Sequence, residues 1–478
     1  MDEAVGRLVM GKVARRLLPF LFLLYVVNIL DRVNIGFARL QMLGDLQLGE
    51  RVYAFGAGIF YVGYLAFEVP SNLILSRVGA RRWLARIMVS WGLITCATAA
   101  VTGPWSFYAL RVLLGVAEAG FFPGVILYLT YWFPARQRAR AVAFFMAASP
   151  LTGALGSPLS GAIMQYMDSV GGLRGWQWLF LLEGAPAVFL GLVVLRYLTD
   201  RPEQANWLSP DERDWLAAQV NQERQGGTSL HFPDEEGERD GPTAPRSAST
   251  ITERTQIEHA EVGGKDRFPD VRLKPRAYHY KPLLQAVADP RVWLLILLYF
   301  TVAAGSNAFG FYLPTLLAGR FPGASKSQLG LLAAVPNVCA GVCMVLNGAH
   351  SDRTGERRWH VALPALLSAA GWALGAHVES PALFLLAMTL CQVGIMSMLP
   401  TFWALPTAFL SGVAAAGGIA LINSVGNLGG FAGPLIIGWL KERTGDFTAG
   451  MLAVALVMGV GAVLALCVRP EPARKVGA

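Results

Sequence analysis

Six ionisable side chains sit inside otherwise apolar stretches of this sequence: Asp31, Arg32, Glu68, Arg111, Glu118 and Glu183. A charge in hydrocarbon costs about 3 kcal/mol or more unless it is paired or wet, so each is a functional hypothesis by default. Arg111 and Glu118 are two helical turns apart, which puts them on one face, about 10 Å from each other along the axis. Both can point into one cavity. Asp31 and Arg32 are sequence neighbours and project about 100° apart on a helix, so neither neutralises the other. Each needs a partner on another helix, and Arg111 and Glu118 are the available ones. Two carboxylates with two guanidiniums suit proton-coupled movement of an anion. Arginine keeps its charge and holds a carboxylate in a bidentate fork, while a carboxylate taken out of water binds a proton more readily. Substrate charge and proton then compete for the same partners. The alternative is a static ion network that only fixes helix packing, but four such groups on two spans exceed what packing requires.

The other two carboxyls are less telling. Glu68 precedes Val69 and Pro70 near one end of its stretch, where it could pair with the arginines that follow, in a gating or structural role. Glu183 follows Trp176, Trp178 and Phe180 about two turns into its stretch, and its role stays open. The second half has no comparable charges; its polar groups are Asn307, Tyr312, Asn337, Gln392, Trp403, Asn423, Ser424 and Asn427. Asn423 and Asn427 are four apart in a glycine-rich run, so they share a face where backbones approach closely. They either hydrogen-bond between helices or bind substrate hydroxyls or a second carboxylate.

The pattern Arg-x-Gly-x-Arg-Arg-Trp occurs twice, at Arg77, Gly79, Arg81, Arg82 and Trp83 and at Arg353, Gly355, Arg357, Arg358 and Trp359, each time between long apolar runs. A duplication of this size with a basic hinge at one place in each copy points to a transporter whose halves rock about a midplane site. Cations that only set topology need not repeat in this pattern. We therefore expect Arg77, Arg81, Arg82, Asp352, Arg353, Arg357 and Arg358 to form a cytoplasmic gate, in which the arginines bind acidic groups and helix C-termini.

The elements that must position these groups follow from composition and hydropathy. Hydrophobic residues make up 54% and charged residues 15% of the chain, and mean hydropathy is +0.45, against a soluble average of about 25% charged. Glycine (52) and proline (27) are abundant, which membrane helices tolerate and use for close packing. A barrel would show short alternating strands instead. Runs able to span a bilayer occur near 17–38, 52–75, 84–102, 106–129, 140–166 and 177–198. Six more follow near 290–317, 328–349, 360–377, 382–403, 409–439 and 447–468. The spacing predicts twelve transmembrane helices in two six-helix pseudo-symmetric bundles, over 1–202 and 286–478. The 203–285 stretch between them, rich in charge, Ser and Pro, reads as a cytoplasmic linker, with a short helix over 208–222 capped by Ser209 and disorder beyond Gln225. No cleavable leader precedes the first run, which reads as a retained anchor. Cations at Arg7, Lys12, Arg15 and Arg16, at Arg136, Arg138 and Arg140, in the two repeats, and at Arg469, Arg474 and Lys475 all fall on one side of a twelve-span chain. That puts both termini in the cytoplasm. It also accounts for the net charge of +8 without nucleic acid. The five cysteines lie in apolar runs with no framework spacing, as small buried hydrophobes, so neither disulfides nor zinc are expected.

Several of these residues together carry a resemblance that covers nearly the whole chain. They are Leu30, Asp31, Arg32, Val33, Asn34 and Ile35; Gly63 and Tyr64 followed by Pro70, Ser71 and Asn72; and Arg111, Gly115, Glu118 and Gly120 leading to Pro123 and Gly124. To these add Tyr131, Trp132 and Phe133, Gly175, Trp176, Gln177 and Trp178, and Asp200, Arg201 and Pro202. The sequence resembles the anion:cation symporter family of the major facilitator superfamily. It is most similar to tartrate-type and phthalate-type carriers, and more distantly to carriers of sugar acids such as galactonate. The resemblance implies a small organic anion moving inward with protons through the inner (plasma) membrane, by alternating access in a monomer, without a cofactor. Matched position by position, Arg32 would bind the substrate carboxylate and Tyr64 would hydrogen-bond the substrate. Asp31 and Glu118 would be the protonated pair, with Arg111 controlling Asp31. Asn423, Asn427 and Trp403 are the expected substrate contacts from the second half. The linker departs from the family pattern in its length and charge.

Other classes fit less well. A drug-proton antiporter of the same superfamily is suggested by Gly156, Ser157, Pro158 and Gly161, but an arginine at the site favours anions. A sensor that binds without translocating would need a folded output domain. An enzyme would need a catalytic constellation, and the six histidines are scattered. The chain contains no Gly-x4-Gly-Lys-Ser/Thr motif of an ATP-driven pump.

Overall fold

The computed structural model describes residues 3–226, 288–406 and 412–468. The linker expectation beyond Gln225 and the terminal cations Arg469, Arg474 and Lys475 fall outside these described residues, apart from Gly226. Helices α1 (Glu3–Asp45), α2 (Glu50–Val78), α3 (Ala80–Thr98), α4 (Pro104–Glu118), α5 (Phe121–Trp132), α6 (Ala135–Met146), α7 (Ala148–Tyr166) and α8 (Gly175–Tyr197) build the first bundle. Helix α9 (Pro210–Gly226) follows it. The second bundle comprises α10 (Pro290–Arg320), α11 (Lys326–Thr354), α12 (Trp359–His377), α13 (Pro381–Ala404), α14 (Gly412–Gly426), α15 (Gly429–Thr444) and α16 (Thr448–Cys467). In hydrocarbon every backbone N–H must be satisfied within its own segment, so apolar runs of this length become helices. Eleven of the described segments are long and apolar enough to cross a membrane, with α4 and α5, α6 and α7, and α14 and α15 each combining into one span. The twelfth is α3, whose first two turns carry Arg81, Arg82 and Arg86 and which packs along α8.

The helices correct the expected span boundaries. Gly79 takes φ +98°, ending α2 and letting α3 start at Ala80, four residues before the apolar run of 84–102 suggested. Its counterpart in the second repeat, Gly355, takes φ +70°. Only glycine enters this region without strain, which accounts for the shared position in the two motifs. The basic N-terminal segment is not a flank but the first turns of α1. Helix α9 is capped as expected: the Glu212 N–H donates to Ser209 Oγ (3.3 Å) and the Ser209 N–H to Glu212 Oε2 (3.0 Å).

The bundles meet along α1 with α10, α2 with α15 and α7 with α11. The closest approaches are at the end away from the basic loops. A Cβ on Gly36 would meet the Gly310 carbonyl oxygen at 2.5 Å, and one on Gly161 would meet that of Lys326 at 2.5 Å. At this distal end Lys326 Nζ lies 3.7 Å from Asp168. The buried Arg39 pairs with Glu50 in its own bundle and donates to Thr315 Oγ1 of the other. At the basic end the bundles part around a vestibule of about 870 Å³ that runs from Arg32 and Tyr64 to Arg138 and Asp352.

Candidate functional site

A second cavity of about 260 Å³ lies between the bundles, lined by Asp31, Arg32, Arg111 and Glu118 from the first and by Asn307, Asn337, Gln392 and Asn427 from the second. It shares Tyr25, Arg32, Tyr299 and Asn427 with the vestibule. Arg32 therefore stands where the two spaces meet. Helical periodicity places Tyr25, Asn28 and Arg32 on one face of α1, and all three line the vestibule.

The four charges converge as the sequence suggested, with one difference in pairing. Arg32 donates to Glu118 Oε1 through Nε (2.8 Å) and Nη2 (2.5 Å), and Asn28 Nδ2 donates to the same oxygen at 2.7 Å. Glu118 Oε2 is buried and has no partner. The Arg32 guanidinium lies 5.5 Å from the Tyr64 ring centroid and 5.6 Å from that of Phe60, a cation-π arrangement. Asp31 and Arg111 line the same cavity but do not form an ion pair. Asp31 Oδ1 instead accepts from Thr95 Oγ1 (2.8 Å) and Asn34 Nδ2 (3.3 Å), and its Oδ2 is unmatched. Arg111 donates to the carbonyls of Gly56 (3.4 Å) and Ala57 (3.1 Å).

From the second bundle, Asn427 lines both cavities, and Trp403, packed on Tyr299 at 4.9 Å between centroids, lines the vestibule. Asn423 also lines the vestibule, but its amide is taken: Nδ2 donates to Glu68 Oε1 (2.8 Å), while Ser424 Oγ donates to Glu68 Oε2 (2.5 Å). Glu68 thus bridges the bundles and does not pair with the loop arginines its position suggested. A second bridge joins the Tyr61 hydroxyl to Asn307 Oδ1.

The residues expected to form a gate stay within their own bundles. The Arg81 N–H donates to Asp200 Oδ1 at 2.8 Å, Arg357 pairs with Asp352 at 2.6 Å, and Arg358 donates to the Leu466 carbonyl. Arg77, Arg82 and Arg353 are exposed. Sequence reasoning missed Asn28, Thr95, Tyr61 and the Arg39–Glu50 pair. The spacing of Asn28 and Arg32 on one helix carried a signal for the first; the others depend on contacts between distant segments.

A charged cavity held between two membrane-spanning helical bundles is the architecture of a transporter. The family model of the Major Facilitator Superfamily matches residues 21–416 and again 295–478, and the chain belongs to that superfamily. It is 48% identical over 459 residues to an Agrobacterium vitis protein named "Putative tartrate transporter", covering 96% of this chain and 90% of that one. It is 38% identical to an Acinetobacter baumannii protein named "Quinolone resistance transporter", covering 95% and 94% respectively. Among solved structures it is similar to a bacterial homolog of the human lysosomal transporter Spinster, with a TM-score of 0.70 at 15% identity over 97% of this chain and 99% of that one.

Proposed function

We propose that this transporter imports a small organic anion together with protons, with a dicarboxylate such as tartrate as the first candidate and aromatic carboxylates or sugar acids next. The observation that carries the reading is the Arg32–Glu118 pair at the junction of the two cavities, with one Glu118 oxygen unmatched. A proton on Glu118 weakens its hold on Arg32 and frees the guanidinium to take a substrate carboxylate in a bidentate fork. Asp31, facing Thr95 and Asn34 in the same cavity wall, is the second proton site, and Arg111 biases it by its charge. Tyr64, Trp403 and Asn427 contact the substrate, and Asn423 joins them when Glu68 releases it. The positive-inside rule makes the basic end cytoplasmic in the inner (plasma) membrane. The vestibule then opens inward in a monomer, with the arginines of the two repeats closing it in the opposite state. Two relatives from Agrobacterium vitis bear tartrate in their names, which favours that anion.

The quinolone-resistance relative, with Gly156, Ser157 and Pro158 in α7, favours a second reading, exchange of drugs for protons. Uptake of radiolabelled tartrate, phthalate, galactonate and nicotinate into proteoliposomes, with and without an inward proton gradient, separates the two. Accumulation of one anion only with the gradient is the expected result. Absence of any anion uptake, with a quinolone or cationic dye exchanged for protons, would make Arg32 a structural charge and the antiporter reading correct.

A further inference from the structure

Glu183 on α8 is 3% exposed and lines neither cavity, so substrate does not reach it. Its Oε1 accepts from Ser160 Oγ on α7 at 2.7 Å, and its Oε2 has no partner. The groups facing it are neutral or acidic. Asp31 and Asn34 come from α1 and Ser160 from α7, while on α3 the Cys96 thiol is turned to the Leu181 carbonyl, 3.8 Å away. The guanidiniums of the site are engaged elsewhere, Arg32 with Glu118 and Arg111 with the Gly56 and Ala57 carbonyls. A carboxylate buried without a cation is the most costly form of this side chain, and a proton removes the cost.

One neighbour is shared with Asp31. The Asn34 side chain lies between the two carboxyls, donating to Asp31 Oδ1 at 3.3 Å and facing Glu183. Its own Oδ1 is buried and unmatched. A proton on Glu183 removes the uncompensated charge and gives the unmatched Oε2 a hydrogen to donate. We propose that Glu183 is a third proton-binding carboxyl of the transport cycle, linked to Asp31 through the shared Asn34 amide. The cluster lies toward the distal end of its helices, eight residues into α8 and six from the end of α7, on the side from which protons would enter. The proposal rests on the proton-coupled reading above.

The test is a pH titration of the purified full-length protein followed by the infrared stretch of protonated carboxyl groups, in wild type, Glu183→Gln and Asp31→Asn. A buried carboxyl titrates as high as about pH 9, so the scan runs from about pH 5 to about pH 9. The expected result is a protonated-carboxyl band that fades across the scan, is lost in Glu183→Gln, and persists in Asp31→Asn with a shifted midpoint. If Glu183→Gln does not fold, Ser160→Ala is expected to keep the band and shift its midpoint. A Glu183 band constant throughout the scan would make it a static buried acid. A band indifferent to both Asp31→Asn and Ser160→Ala would overturn the linkage. No transported substrate is needed, so failure of the anion panel and failure of this proposal are separate results.

Discussion

Glu118 takes three hydrogen bonds on one oxygen and none on the other, which makes it the residue whose substitution tests the proposed coupling most directly. Glu118→Gln removes the proposed proton site while retaining shape. Gradient-driven accumulation of the anion should disappear while substrate exchange across a membrane at equal pH continues, a difference that paired accumulation and counterflow assays read directly. A variant that still concentrates substrate would remove Glu118 from the coupling role. The Arg32 side chain is a third exposed and lines the vestibule, so losing its counter-charge should lower thermal stability only modestly. At this scale the sequence was informative for four of the charges in apolar runs: Asp31, Arg32, Arg111 and Glu118 do share one cavity. It was silent on which neutral group meets which charge. Thr95 on Asp31 and Ser424 on Glu68 are serine- or threonine-type side chains like many others in the chain, selected only by tertiary contact.

The spans were legible for a simple reason, that the bilayer demands length and apolarity together. The breaks were not. The fourth span divides at Ala119 and Gly120, directly after Glu118, with Gly120 at φ +85°. The eleventh divides at Asn427 and Leu428, where the Gly430 N–H reaches the Asn427 carbonyl at 2.8 Å. Hydropathy is blind to both, because an apolar residue reads the same in a straight or a broken helix. Element contacts also set which state the molecule occupies. The distal crossing of α7 and α11 needs glycine on both sides, since a Cβ on Gly330 would meet the Ser157 carbonyl oxygen at 2.5 Å. Gly330→Val should oppose this closure by about 1–3 kcal/mol, about fivefold to 150-fold in population. Thiol labelling of a cysteine introduced into the distal half of the central cavity should speed up accordingly, with net uptake falling in parallel; unchanged labelling would mean that this crossing does not hold the distal end shut.

Across the whole molecule, the distal closure rests partly on an ion pair between the bundles, Lys326 with Asp168. The Gly175 N–H, 2.9 Å from Asp168 Oδ1, is the main cause holding this carboxyl below the usual aspartate range. A lowered value means that the charged, bridging form is present above the ordinary range and is lost only as pH falls through the lowered one. Both side chains are about a quarter exposed, so the pair shifts the equilibrium severalfold at most. Distances between spin labels across the distal mouth should show Asp168→Asn favouring the open form by the same factor from about pH 8 down through the ordinary aspartate range, about pH 4, with the difference vanishing only below that range. A difference that changed through neutral pH would mean that another group governs this contact. The overall architecture was legible from the duplicated motif, whereas the direction in which the cavity opens was not, because both states use the same sequence. The two halves also divide their labour around the central cavity: among the described residues, every charge lining it comes from the first bundle, and the second supplies only neutral groups such as Asn307, Asn337 and Gln392. On the proposed reading, the engine and the anchor for the cargo's charge are therefore encoded in the first stretch of the gene, and the fitting around the rest of the cargo largely in the second. A lineage of such carriers can exchange what it carries by rewriting its second half, without rebuilding the engine that drives it.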